Sequence, residues 1–122
     1  MVNALEKIIQ DKKETLNLIK KNNSLDSLEK KIKNLNFFNN FKKTIQNNKG
    51  IALISEIKKA SPSAGVLVKD FNHLDIAKMY IDSGATCLSV HKEEKHFLGK
   101  LDYITDIKNK FKTPVLAKDF FI

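Results

Sequence analysis

Apolar residues recur at helical spacing through the first 48 positions and gather into short unbroken runs after Gly50. In residues 2–21, Val2, Leu5, Ile8, Ile9, Leu16 and Ile19 fall on one face of a helix, with lysines and acids opposite. Asn22-Asn23-Ser24 interrupts that rhythm. Ser24 suits an N-cap, Asp26 favours the first turn of a second helix, and Leu25, Leu28 and Ile32 form its apolar stripe. Phe37, Phe38, Phe41 and Ile45 continue at helical spacing in a third short helix, where phenylalanines are expected in the core. Asn47-Asn-Lys-Gly50 ends it.

From Ile51 the period changes. Ile51-Ala-Leu-Ile-Ser-Glu-Ile57 predicts a strand buried on both faces, leading into a loop that holds Ser61-Pro-Ser-Ala-Gly65. A helix is predicted from His73 to Ser83, buried through Ile76, Met79 and Tyr80 and stopped by Gly84. Thr86-Cys-Leu-Ser-Val90 reads as a second strand, followed by a polar loop over His91-Lys-Glu-Glu-Lys-His96. Leu101, Ile104 and Ile107 mark one face of a helix over 101–110, and Val115-Leu-Ala-Lys118 reads as a third strand. Strand–helix–strand–helix–strand with connections of this length predicts parallel βαβ units with right-handed crossovers. Three strands neither close a barrel nor cover both faces of an open sheet, so the pattern predicts the first part of a larger α/β domain. A small stand-alone three-layer domain is the alternative.

Composition narrows the function. The 122 residues carry a net charge of +8, all of it from lysine, since arginine is absent. Those lysines are dispersed through amphipathic segments and lack the bidentate fork used to read bases and phosphates, so they indicate a solvated surface and no nucleic-acid partner. One cysteine, Cys87, excludes an internal disulfide and reads as a buried structural thiol in a reducing compartment. There is no signal-type apolar segment and no run of membrane-spanning length, which predicts a cytoplasmic protein without a membrane partner.

Chemistry concentrates at predicted strand ends. Alternation places Ala52, Ile54, Glu56 and Lys58 on one side of the first strand, and Leu116, Lys118 and Phe120 on one side of the third. In an eight-stranded barrel, alternate strands share an interior layer, which would set Glu56 and Lys118 at similar height, about 10 Å apart at the backbone. A partly buried lysine can serve as a general acid, a neighbouring carboxylate can aim it, and a second lysine can hold an anionic group. A Glu–Lys pair that only plugs a barrel mouth explains the same spacing. His91 and His96 flank Glu93, Glu94 and Lys95, a weak pattern for a metal site. Walker, dinucleotide-binding and nucleophile-elbow motifs are absent.

These residues also carry a resemblance. Glu56-Ile-Lys-Lys-Ala-Ser-Pro-Ser63 with Gly65 resembles the signature of the indole-3-glycerol-phosphate synthase family. So do Leu5-Glu-Lys-Ile-Ile-Gln-Asp-Lys-Lys13, Cys87-Leu-Ser-Val90 with Glu94-Lys-His-Phe97 and Gly99, and Pro114-Val-Leu-Ala-Lys-Asp-Phe120. The match spans the chain but only about the first half of a family member. It implies the N-terminal part of a (β/α)8 TIM barrel: residues 1–48 as a helical extension and 49–122 as an incomplete βαβαβ portion.

The implied activity is that of a carboxy-lyase in tryptophan biosynthesis, acting on a small phosphorylated substrate without cofactor or metal. Carried over by position, Lys118 matches the general acid, Glu56 a carboxylate that orients lysine and substrate, and Lys58 a lysine contacting anionic groups. Ser61 matches a substrate-binding serine, and Phe97 and Phe120 match apolar walls around an aromatic ring. One departure stands out: family members continue Leu-Ser-Val with an apolar residue and Thr, where this chain has His91-Lys92. The family's second catalytic glutamate and its phosphate-binding loops have no counterpart in these residues, so the 122-residue chain alone is expected to be inactive. A non-catalytic remnant, a split half-barrel that needs a complementary chain, and the neighbouring isomerase of the same pathway are the rival readings.

Overall fold

A computed structural model describes residues 3–122, so Val2 of the first apolar stripe lies outside the described residues. The chain divides into two compact units, residues 3–38 with 120–122, and residues 39–119. In the first unit, helix α1 (Ala4–Asn22) starts at a capping box. The Asn3 side chain accepts from the Glu6 amide at 2.8 Å, and the Glu6 carboxylate accepts from the Asn3 amide at 3.1 Å. Ser24 caps α2 (Leu25–Lys33), accepting from the Ser27 amide at 3.2 Å. Ile8 is buried, but Leu25 and Ile32 on the α2 stripe stand 77% and 59% exposed.

The second unit begins with α3 (Phe41–Gln46), capped by Asn40. Phe37 and Phe38 precede this helix and are exposed, so the expected phenylalanine core reduces to the half-buried Phe41 and Ile45. Asn40 explains the difference, because its extended backbone and its bond to the Lys43 amide start the helix after the first two aromatics. Then come β1 (Ile54–Ile57), β2 (Ala60–Ser61), β3 (Gly65–Val66), α4 (His73–Asp82), β4 (Cys87–His91), α5 (Leu101–Lys110) and β5 (Val115–Lys118). Strands β1, β4 and β5 form a three-stranded parallel sheet in that order. This is an α/β arrangement of successive βα units, with β4 central. The serine-rich loop folds on itself, pairing β2 with β3 in an antiparallel hairpin, and Gly65 takes the φ of +66° that its turn requires.

The register separates the sheet into two faces. Ile57, Leu88, Val90 and Val115 lie on one face and pack with Ala77 of α4 and Ile107 of α5. Full burial of side chains such as Ile57, Leu88 and Ile107 contributes roughly 1.5–3 kcal/mol each. Met79 and Leu101, expected in this core, are exposed. Helix α4 turns Ala77, Tyr80 and Ile81 toward the core, which points Met79 away, and Leu101 sits in the open first turn of α5.

The opposite face carries Ile54, Glu56, Cys87, Ser89, His91, Leu116 and Lys118. Ile54 and Leu116 there are each 43% exposed, so β1 is buried on one face only, against the expectation of two. Cys87 is fully buried as expected, and burial pushes its thiol up from the ordinary range, which leaves it a poor nucleophile. Among the described residues no helix is long and apolar enough to cross a membrane.

Candidate active site

The polar groups of the open sheet face meet at the C-terminal ends of its strands. Glu56 projects from β1, opposite Ser89 of β4 and, through it, Leu116 of β5. Lys118 aligns with His91, one same-face position beyond the level of Glu56. The equal height expected for Glu56 and Lys118 is therefore offset by two residues, about 6.6 Å along a strand. Lys118 is exposed where partial burial was expected, since it ends the edge strand β5, whereas Cys87, Ser89 and His91 of the central β4 are buried on the same face. It makes no hydrogen bond or ion pair among the described residues, so its ammonium group is available to the open face.

Glu56 is held from two directions. Its Oε2 lies 3.0 Å from the Lys58 Nζ, and its Oε1 lies 2.8 Å from the Nε2 of His91. Burial is the largest single influence on the Glu56 carboxyl and pushes it up. The hydrogen bonds and charges of His91 and Lys58 together outweigh burial and hold it below the usual carboxylate range. Glu56 is thus ionised at neutral pH. A carboxyl lowered in this way stabilises the folded state fully above its ordinary value of 4.5, and the stabilisation is lost as pH falls through the lower folded value. Wild type is therefore expected to lose more urea resistance than Glu56→Gln between about pH 6 and 3. Parallel declines in both proteins would refute the pairing.

His91 is where sequence reasoning fell short. Its side chain is 6% exposed and lies between two carboxylates, Glu56 at Nε2 and Asp119 at Nδ1. A carboxylate only accepts, so both contacts are hydrogen bonds when each ring nitrogen carries a hydrogen. Asp119, with no side-chain exposure, also accepts from the backbone amides of Lys92 and Glu93, each at 2.8 Å. Its φ of +91°, rare for a residue other than glycine, turns the chain straight after Lys118 and brings the carboxylate back under β4. A usable signal was present: alternation from Ser89 puts His91 on the Glu56 layer.

The loop after β4 is organised by a second buried acid. The Glu93 carboxylate accepts from the amides of Lys95 at 3.1 Å, His96 at 2.6 Å and Phe97 at 3.2 Å. That turn lays the Phe97 ring on the His91 imidazole, with centroids 4.8 Å apart and planes 25° from parallel. Gly99 is needed nearby, since a Cβ there would sit 2.3 Å from the His91 carbonyl oxygen. Ser61 stays in the hairpin, its hydroxyl accepting from the Ala64 amide at 3.1 Å. Phe120 groups with the first unit. The structure thus brings Glu56, Lys58, His91, Phe97 and Asp119 into one connected cluster, with Lys118 in register beside it. Ser89, also unforeseen, adds a buried hydroxyl without a hydrogen-bond partner on the same face.

A family profile described as indole-3-glycerol phosphate synthase matches residues 5–122. The chain belongs to the indole-3-glycerol phosphate synthase family. A relative of that name from Aliarcobacter butzleri is 42% identical over 121 residues, covering 97% of this chain and 46% of the relative. One from Legionella pneumophila strain Paris is 43% identical over 122 residues, again 46% of its length. The "Tryptophan biosynthesis protein TrpCF" of Buchnera aphidicola is 41% identical over 120 residues, 25% of its length. The chain thus spans about half the length of the indole-3-glycerol phosphate synthases it matches. Glu56 and Lys118 lie at the C-terminal ends of β1 and β5, and Lys58 just past the end of β1.

Proposed function

We propose that this chain is the N-terminal portion of an indole-3-glycerol-phosphate synthase. In this reading residues 1–48 are a helical extension and 49–122 supply the first three strands of a (β/α)8 barrel. The open sheet face becomes the barrel interior once further strands pair with the free edges of β1 and β5. The reaction is ring closure of 1-(2-carboxyphenylamino)-1-deoxyribulose 5-phosphate, with loss of carbon dioxide and water. The observation that carries this reading is the shared face and shared strand end of Glu56 and Lys118, with Lys118 free of any ion pair among the described residues.

Lys118 would donate a proton to the ribulose carbonyl as the aromatic carbon attacks it, making the carbonyl carbon more electrophilic. Glu56, kept anionic, would orient the substrate and the lysines around it. Lys58 would contact anionic substrate groups as a point charge while tied to Glu56 at 3.0 Å. Ser61 would bind substrate from the hairpin, and Phe97 and Phe120 would wall the aromatic ring. The reaction runs on side chains alone in this reading, in the cytoplasm. The phosphate grip and the second carboxylate must come from a continuation of the barrel, so residues 1–122 by themselves are expected not to turn over.

The test compares this chain alone with the natural polypeptide that carries it, following indole-3-glycerol phosphate formation by its fluorescence. The natural polypeptide is expected to turn over and the 122-residue chain is not. A natural polypeptide without turnover would sink the reading. Turnover by the short chain, abolished in Lys118→Ala, would overturn its incompleteness.

A further inference from the structure

Lys58 is one partner of Glu56, and it is itself a partly exposed, mobile-ended side chain. The other partner is of a different kind. His91 is buried at the end of the central strand, with its Nδ1 on the fully buried Asp119 carboxylate and its Nε2 on Glu56.

We propose that His91 is a positioning residue, a rigid imidazole post that fixes the Glu56 carboxylate toward the open sheet face. The inference rests on the reading of Glu56 as the active carboxylate.

The support is a graded chain of contacts. Two backbone amides anchor Asp119, Asp119 anchors the Nδ1 of His91, and the Nε2 of His91 holds Glu56 Oε1 at 2.8 Å. Exposure rises along that chain from none at Asp119 to 6% at His91 and 40% at Glu56. Rigidity is thus supplied from the interior to a group that faces solvent. Phe97 stacks on one face of the imidazole and restricts its rotation, while Gly99 lets the loop close on the His91 backbone.

A leucine-like side chain at this position would fill the volume but leave Glu56 with Lys58 alone. The charged groups around Glu56 are Lys58 beyond its own strand, His91 from β4, Asp119 behind His91, and Lys118 in register beside His91. Removing His91 deletes the hydrogen bond that most lowers the Glu56 carboxyl and leaves burial, which raises it. It also leaves the Asp119 carboxylate without its histidine hydrogen-bond partner.

The experiment follows the Glu56 carboxyl by carbon NMR titration in the natural polypeptide, for wild type, His91→Leu and His91→Gln. The pH dependence of kcat/KM is measured on the same proteins. In His91→Leu the Glu56 resonance is expected to titrate at higher pH than in wild type, and the acid limb of kcat/KM to move with it. His91→Gln keeps one N–H for Glu56 and is expected to fall between the two, and it serves alone if His91→Leu does not fold. The kcat is expected to drop about tenfold or more in His91→Leu, with KM changed much less, the pattern of a misaimed group. Glu56 titration curves that superimpose in wild type and either variant overturn the proposal, whatever turnover shows. Glu56→Gln separates the two levels. If that variant keeps full turnover, the assignment of Glu56 fails. If it loses turnover while the histidine variants leave titration and acid limb unmoved, only the role of His91 fails.

Discussion

On the proposed role of Lys118 as general acid, Lys118→Ala in the natural polypeptide is expected to lower kcat by about 10²–10⁴-fold, with a smaller change in KM. The exposed position of Lys118 leaves little structural role for the side chain to lose. Lys118 is exposed at the last position of β5, with no hydrogen bond or ion pair among the described residues. Its removal is therefore expected to change folding stability by no more than about 0.5 kcal/mol. Lys118→Arg adds a sharper test, because a guanidinium retains positive charge but does not release a proton near neutral pH. The arginine variant is expected to stay within about tenfold of alanine. Recovery of wild-type turnover by arginine would show that Lys118 acts as a charge only.

Asp119→Ala is expected to cost about 3–5 kcal/mol of stability, read as a lowered urea midpoint. Three hydrogen bonds converge on this carboxylate, from His91 and from the amides of Lys92 and Glu93. Asp119 has no side-chain exposure and His91 only 6%, so truncation leaves an imidazole and two amides without their acceptor in a place water does not readily reach. Backbone effects can be separated by Asp119→Gly. Glycine accepts the φ of +91° without steric penalty, so it is expected to be less destabilised than alanine by about 1 kcal/mol. Both variants should remain well below wild type. A loss under about 1 kcal/mol in Asp119→Ala would mean that the buried pair contributes little to the fold.

These two adjacent residues show how function and stability are divided at one strand end. Lys118 points to the open face and is expected to carry chemistry at almost no structural cost. Asp119 turns back under β4 and is expected to carry structure. Period-two alternation reverses direction at every residue, and the left-handed turn at Asp119 completes the reversal. The family resemblance singles out the lysine but says nothing of what the aspartate binds in this chain.

The amino-acid sequence by itself determined the order of helices and parallel strands, but not the β2–β3 hairpin, which it reads as a loop. Capping by Ser24, the helix stop at Gly84 and the strand runs expected at 51–57, 86–90 and 115–118 are local: each depends on a few neighbouring residues and their intrinsic geometry. Even so, β1 starts only at Ile54, and β4 extends to His91, which was expected in the loop. Alternation was enough to put Glu56 and Lys118 on one side. Tertiary structure alone decided what those residues meet. The partners of His91 lie 28 and 35 residues away in the chain, and only the parallel register brings them to one strand end. The same register set the two-residue offset of Lys118 and selected which sheet face packs on α4 and α5. Exposure of Phe37, Phe38 and Met79 was decided likewise, because a helical period states which residues share a side but not whether another surface is there to cover it.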